Sequence, residues 1–578
     1  MKNQAISWRL HLEALHSLIH VETTVQLKDG DRFSLPAWIP GSYMVREFVR
    51  GLQDLRVQTL DGEDVTLEHP DKATWVVRLE TPQQVVIRYA IYGRELTVRT
   101  AHIDDTHAFF NGANVFLRFE GRAHLPQQVE IAAPETWTAF VSLPQHEGRF
   151  TADNYVHLAD TAFEIGPHPS FEFQVDGIPH RMIFWGADGL LDKIPQLQAD
   201  TIALMEQNRD TFQRPLPYER YDIIFHVTPS ARGGLEHRDS TTLATPWAYF
   251  ETEEGYLDML TLIAHEHFHA YNGRRLAPAS LEHIDYSQEN YLSELWVIEG
   301  FTSYFDELNT LRAGLMTQEQ WLERTAKAFS ALYRTYGRTR QSLTEASHDA
   351  WIRLYRPYEH TRNQTVSYYL KGSLVALAID LRLRERSGGE VALEHVLQSI
   401  WREWQDHNVH YTTESVLRRI GELGGDVVEE DARQWVTGTD EPPYAELLAS
   451  HGIQWAEEDS KPADFGIVLE PSQDPAVVSS LDEARYDAIG ALRPGDEIVA
   501  LNKRRVRRNE IEARLVALSK GPEDVHTFTV FRLGRQREVS VVLKSAPQIQ
   551  LSFFETDADN DAAVKTRRSG FFGTEGGQ

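Results

Sequence analysis

Apolar and polar residues alternate with a period near two from the N-terminus to about residue 175. The stretches "HVETTVQL", "ATWVVRL", "QVVIRYAIYG", "NVFLRF" and "QVEIAA" each follow this pattern. They are separated by "LKDGD" and "LDGED", which carry turn chemistry. Short strands punctuated by such turns predict an N-terminal β-rich, sandwich-like domain over 1–175. One aromatic-rich stretch, "PAWIPGSYMVREF" (Pro36–Phe48), interrupts it.

The period then changes. "RMIFWG" and "YDIIFHVTP" read as strands, and "GLLDKIPQLQADTIALMEQNRDTF" between them has helical spacing. From Tyr256 to about Ile420 the pattern is mostly helical, and several helical runs stop at glycine. This predicts a mainly helical α+β domain over 176–455. After the polar "AEEDSKPAD" (Ala456–Asp464), short strands and one helix-like run, "RNEIEARLVALS", predict a small mixed module over 460–545. The polar, Gly-rich end, 546–578, reads as a disordered tail. No internal repeat is present.

Composition narrows the chemistry. A chain of 578 residues exceeds one hydrophobic core, and 41% apolar content suits ordinary globular packing. The absence of cysteine excludes disulfides, thiolate catalysis and Cys-ligated metals. The formal charge is −28, from 58 basic and 86 acidic residues, which argues against nucleic acid or an anionic membrane as partner. The one basic run, "KRRVRR" (Lys503–Arg508), reads as a solvated strand or turn. No signal-peptide pattern opens the chain and no run of about 18 apolar residues occurs, so a cytoplasmic protein is expected.

The chemistry concentrates in "HEHFHAYN", His265–Asn272. On a helix, with His265 at zero, His269 falls at about 40°, Glu266 at about 100° and His267 at about 200°. His265, His269 and Glu266 therefore share an arc, and His267 turns away. Histidines at i and i+4 can ligate one zinc, with the adjacent glutamate facing the metal's water. A catalytic zinc needs a third protein ligand, and Glu299 in "ELWVIEGFTSYF" is the candidate. Such a metal lowers the pKa of its water, and Glu266 can take the proton and pass it to a leaving amine. The pair in "HSLIH" (His16–His20) has the spacing without the glutamate and lies in strand-like sequence, where i and i+4 are far apart.

"HEHFH…WVIEG" resembles the gluzincin metallopeptidases. "GGLEH" (Gly233–His237) resembles the Gly-x-Met-Glu-Asn exopeptidase motif of aminopeptidase N relatives, with Leu235 and His237 in place of Met and Asn. "YYLKG" (Tyr368–Gly372) resembles their Tyr-x-Lys-Gly motif. Together with "WIPGSY", "SHDAWIRLYRP" and "SYYLKGSLVALAIDL", these stretches resemble the glycyl aminopeptidase family. That resemblance implies a β-rich domain, a thermolysin-like catalytic domain and a C-terminal PDZ domain. It implies one zinc per chain, held by His265, His269 and Glu299, with Glu266 as general base. Tyr369 would stabilise the oxyanion, with Tyr368 as the neighbouring alternative. Glu236 would bind the substrate's α-amine, and Gly233 and Gly234 would admit its backbone to an edge strand. The segment "HAFFNGANVF" (His107–Phe116) reads as a hairpin or as a wall of the amine pocket. Glu294 and His237 read as packing residues or as partners of the zinc ligands.

"FGIVLEP" and "GALRPGDEIVALNKRRV" resemble a PDZ domain, with Lys503 where many such domains have glycine. The resemblance implies capture of a peptide C-terminus beside the Phe-Gly-Ile loop. The function these readings define is a zinc aminopeptidase acting on peptides with a free N-terminus, with Gly and Ala preferred. Two alternatives stand beside it: a broader metallo-endopeptidase, and a catalytically inactive PDZ peptide-binding adaptor.

Overall fold

The computed structural model describes residues 5–459, 466–483, 486–487, 492–519, 524–543, 547–554 and 562–573. The chain divides into two compact units, Met1–Asn290 and Tyr291–Gln578.

The first unit begins with three sheets. The largest has seven strands, in the order Gln145–His146, Arg149–Ala152, Gln127–Ala132, Ile6–Glu13, Leu18–Leu27, Gln83–Tyr92 and Leu52–Thr59. Period-two sequence becomes period-two burial: Ile6, Trp8 and Leu10 point inward while Ser7, Arg9 and His11 face solvent. One four-stranded sheet contains Arg32–Ser34 and Thr74–Arg78, and another contains Ala162–Gly166, Ala108–Asn111 and His102–Ile103. Trp8, Phe33, Trp75, Phe110, Phe116 and Phe163 from these sheets share one apolar core.

A five-stranded sheet follows, in the order Ser170–Val175, Ile178–Trp185, Tyr221–Thr228, Ser240–Pro246 and Gly233–Glu236. Its three middle strands are parallel, and the Gly-rich strand is an antiparallel edge. Sequence alone separates this sheet from the N-terminal domain at residue 175. In the structure Leu235, Ala244 and Tyr286 enter the N-terminal core, and Ile183 and Ile224 pack with Phe109 and Phe140. Shared apolar burial is what makes 1–290 one unit.

The second unit is mainly helical. Its helices include Thr302–Arg312, Gln318–Tyr333, Leu370–Ser387, Leu393–His407, Thr413–Gly424 and Asp426–Thr437. Thr317 and Gln320 form a reciprocal cap on Gln318–Tyr333. Gly388, at φ +70°, ends Leu370–Ser387 in the left-handed conformation that glycine adopts freely. That helix is buried on several faces, and its Asp380 is met by Arg384 Nε at 2.9 Å, Tyr304 Oη at 2.7 Å and Leu393 N at 2.6 Å.

Residues 466–543 add a sheet in the order Ile467–Leu469, Ala476–Leu481, Glu497–Leu501, Val525–Arg532, Arg535–Leu543 and Tyr486–Asp487. Val478, Ile498, Phe528 and Val530 pack against Ile511 and Leu515 of the helix Arg508–Leu518. The basic run is a turn and a short strand: Lys503 has φ +64° and Arg504–Arg505 pairs with Ala500–Leu501.

Two local expectations are corrected. Pro547–Phe553, read as tail, pairs antiparallel with Ile453–Asp459, and Ala562–Phe572 is a helix burying Phe571 and Phe572. Polar composition hid this because only two aromatic residues anchor the helix. The first part of the expected linker is the strand Ile453–Asp459; its remainder, 460–464, lies outside the described residues. No helix among the described residues is long and apolar enough to cross a membrane.

Candidate active site

In the first unit, the helix Glu253–Phe268 carries the metal motif. Thr252 caps it by accepting the Gly255 N–H at 3.1 Å, and Glu253 and Glu254 suit its positive end. Buried Leu257, Leu260, Ile263 and Phe268 fix it in the fold. At its last turn, the Nε2 atoms of His265 and His269 stand 3.1 Å apart. His269 donates Nδ1–H to the Asn272 carbonyl at 2.9 Å, which sets the tautomer with the lone pair on Nε2. Two imidazole tips meeting this closely, one with its tautomer fixed from behind, fit a shared zinc ion.

His267 turns towards other partners. Its Nδ1 is 3.1 Å from Asn208 Nδ2 and its Nε2 is 2.7 Å from Tyr218 Oη. Burial, helped by His180, pushes its pKa down to about 3, so it stays neutral.

One glycine of the edge strand lies against Glu266. A Cβ on Gly234 would lie 2.0 Å from Glu266 Oε1 and 2.2 Å from its Cδ, so the Glu266 carboxylate occupies that space. Gly233 has open space around it but φ +148°, a conformation side chains disfavour. Two residues beyond Gly234, Glu236 is buried at 5% exposure. Gly41 of "WIPGSY" closes over it, since a Cβ there would lie 2.6 Å from Glu236 Oε1. The Gly41 loop is pinned by Ala37 N donating to the Tyr286 carbonyl at 2.7 Å.

The segment His107–Phe116 is not a plain hairpin. Asn111 precedes a single helical turn, Gly112–Val115, and its N–H donates to Asn114 Oδ1 at 2.8 Å; a Cβ on Gly112 would fall 1.8 Å from the Leu158 carbonyl oxygen. Asn111 Nδ2 donates to Val98 O at 3.1 Å and Asn114 Nδ2 to Arg99 O at 3.1 Å. The loop so held places Arg99 Nη2 3.3 Å from the Gly234 carbonyl.

His237 turns to Asp160 Oδ1 at 3.4 Å, and Asp160 is also paired with Arg274. Burial opposes the Asp160 charge, but Arg274 and His237 outweigh it and hold its pKa well below the carboxylate range. Burial likewise opposes the Arg274 charge, and Asp160 and Glu236 overcome it. Sequence reasoning missed Asp160 and Arg274. Nothing in "LADTAF" or "NGRRL" marks two side chains over a hundred residues apart as one ion pair.

In the second unit, Glu299 lies in a widened π turn, Trp296–Phe301, that runs into Thr302–Arg312. Such turns recur at functional positions. Within the run read as mostly helical, helical structure around Glu299 starts at about Leu295. Gly300 faces Gly372 so closely that a Cβ on either would lie within 2.9 Å of the other's Cα. This backbone contact joins the Glu299 turn to the helix that opens at Tyr369.

Tyr355 Oη is 3.1 Å from Tyr368 Oη and 3.2 Å from Tyr369 Oη, and the rings of Tyr368 and Tyr369 stack at 4.8 Å. Tyr368 is fully buried, and burial, with Tyr355 and Glu299 nearby, holds its pKa well above the ordinary tyrosine value. Tyr369 is only partly buried. Lys371 supports the fold: its Nζ donates to the carbonyls of Arg338 at 3.3 Å and Gln341 at 3.4 Å. Glu294 accepts from Thr413 N at 3.1 Å.

Residues 9–167 match the model of the peptidase M61 N-terminal domain, and residues 258–375 match that of the M61 glycyl aminopeptidase. An aminopeptidase N family protein from Idiomarina loihiensis has a similar structure, with TM-score 0.88 and 25% identity over 98% of this chain and 100% of that one. An M1 zinc metallopeptidase from Deinococcus radiodurans aligns with TM-score 0.48 and 16% identity over 76% of this chain and 95% of that one. No curated protein matches the chain. Fold and site together define a multidomain zinc metallo-aminopeptidase, with a sheet-rich N-terminal domain and a helical catalytic domain. Residues 9–167 and 258–375 are thus similar to the two domains of M61 glycyl aminopeptidases.

Proposed function

We propose that this enzyme removes single N-terminal residues from peptides, Gly and Ala foremost. One observation carries the exopeptidase reading. Gly234, against which Glu266 lies, and Glu236 face the same side of the edge strand, two residues apart. That spacing is about 7 Å, enough for one aminoacyl residue between the base and a carboxylate that reads its ammonium. Gly41 lies against the Glu236 carboxylate, which supports a pocket closed beyond the first residue. The small-residue preference rests on the family description alone.

His265, His269 and Glu299 are the proposed zinc ligands. Zinc supplies Lewis acidity, polarising the scissile carbonyl and making water nucleophilic near neutral pH. Glu266 accepts the proton of the attacking water and delivers it to the leaving amine. Tyr369 donates its hydroxyl proton in a hydrogen bond to the developing oxyanion. Its partial exposure supports it over the fully buried Tyr368. Gly233 and Gly234 keep the edge strand bare for the substrate backbone.

The module at 466–543 is proposed as a PDZ domain that takes a peptide C-terminus. Among the described residues, Ile467–Leu469 pairs only with Ala476–Leu481, which leaves an edge to which a peptide strand can add. Phe465 of the expected carboxylate loop lies outside the described residues.

The test is a panel of amino-acid anilides and their N-acetylated forms, assayed with and without chelator. Gly and Ala substrates should be cleaved fastest, acetylated ones negligibly, with activity lost to chelator and restored by zinc. Equal cleavage of acetylated substrates would make the enzyme an endopeptidase. Activity indifferent to chelator would remove zinc from the account.

A further inference from the structure

The hairpin at His102–Asn111 brings together three side chains able to ligate a metal in "HIDDTH", outside the HExxH stretch. Ligand atoms of His102, Asp104 and His107 lie within 4.8 Å of one another. His102 is 6% and His107 0% exposed. Each imidazole is oriented from behind: His102 Nδ1 lies 3.2 Å from the Arg94 carbonyl, and His107 Nδ1 lies 2.8 Å from Glu164 Oε1. Donation through Nδ1–H puts the lone pair on Nε2 in both rings. Both Nε2 atoms are buried without a hydrogen-bond partner.

Asp104 adds an anion. Its Oδ1 is taken up by Thr106 N at 2.8 Å, Thr106 Oγ1 at 2.6 Å and His107 N at 3.3 Å. Its Oδ2 stands 3.3 Å from His102 Nε2 without hydrogen-bond geometry, and 3.7 Å from Arg94 Nη1, whose side chain is 59% exposed. Two imidazole lone pairs and a carboxylate oxygen thus converge, and mutual repulsion favours a cation among them.

We propose that His102, Asp104 and His107 bind a second divalent transition-metal ion of the zinc class, through the two Nε2 atoms and Oδ2. Two histidines and one carboxylate, completed by water on the exposed side of Asp104, form an ordinary donor set for such an ion. Tetrahedral zinc sets ligand atoms about 3.3 Å apart, so movements of roughly an ångström close the site. Glu164 and the Arg94 carbonyl are the outer partners that hold the ligating tautomers.

The site lies on a wired path. Glu164 is also met by His168 Nε2 at 2.6 Å and by His226 Nε2 at 2.9 Å, and His226 is on the strand Tyr221–Thr228, which Ser240–Pro246 separates from the edge strand Gly233–Glu236. Trp185 stacks on His107 at 4.6 Å. An ion here would hold the 94–107 loop, from which Arg99 reaches the Gly234 carbonyl.

The experiment separates this ion from the catalytic one. Full-length His265→Ala protein is dialysed against metal-free buffer, titrated with zinc, and assayed for bound metal and thermal midpoint. One tightly held zinc per chain and an upward shift of several degrees are expected. Both should disappear in His265→Ala/His102→Ala and in His265→Ala/Asp104→Asn. Cobalt should bind the His265→Ala protein with visible absorption that the double variants lack. If His265→Ala protein binds no zinc and its midpoint ignores the metal, the cluster is a hydrogen-bonded histidine–carboxylate hub and the proposal fails. Zinc that binds equally to all three proteins also overturns it. The first two readouts need only the single variant, so misfolding of a double variant leaves the proposal testable.

Discussion

Replacing Gly234 with alanine tests how the edge strand positions the base. The added Cβ would stand 2.0 Å from Glu266 Oε1, 2.2 Å from Cδ and 2.5 Å from Cγ. Relief to ordinary carbon contacts of about 3.5 Å moves the carboxylate by an ångström or more. A misplacement of about 1 Å in a catalytic group costs on the order of 100-fold, or about 2.7 kcal/mol in the barrier. The loss should fall on kcat. The three atoms nearest the new methyl all belong to Glu266, so zinc content should not change. Gly234 itself lacks the positive φ of Gly233, so the thermal midpoint should move by only a few degrees. Steady-state hydrolysis of alanine anilide, metal content and a thermal melt check all three. A variant within about threefold of wild type would refute the assignment of Glu266 as proton carrier at this position.

Gly372→Ala sets a methyl against the Gly300 backbone at 2.9 Å, with no flexible side chain to yield. It should cost about 1–3 kcal/mol of stability and lower zinc affinity by displacing the Glu299 turn, measured by melts and metal titration. Tyr369→Phe should lower kcat by roughly 100-fold with little change in KM, whereas Tyr368→Phe should act mainly on stability; the reverse pattern would transfer the oxyanion role to Tyr368. Burial lowers His180 and His451 to about 4 in the folded protein. Because the unfolded histidines bind protons below about 6.5, stability is full above that pH and is lost as pH falls towards 4, by up to about 3 kcal/mol for each. Melts from pH 7.5 to 4.5 should show that slope, and His180→Gln should flatten it.

What could be read from sequence was local. Helical spacing placed His265, His269 and Glu266 on one arc and turned His267 aside to Tyr218 and Asn208. Period-two alternation found the strands, and turn chemistry found most of their ends. What escaped depends on contacts between distant segments. The reason for Gly234 is a carboxylate 32 residues later, and the partner of Glu236 is Gly41. Asp160 and Arg274 carry no mark of pairing until the fold brings them together. Asn111-Gly112 has the composition of a hairpin turn, but the Leu158 carbonyl and the Asn114 side chain select a capped helical turn. The helix Ala562–Phe572 is built from polar sequence whose two buried phenylalanines are too few to register as a period.

The central claim is that Glu236 reads the substrate's free amine and so confines cleavage to the first peptide bond. The most direct measurement compares kcat/KM for an alanyl dipeptide amide and its N-acetyl form, in wild type and in Glu236→Ala, at equal zinc content. Wild type should strongly prefer the free amine, and the variant should lose roughly 100-fold or more on that substrate alone. Equal losses on both substrates, or an unchanged preference, would contradict it.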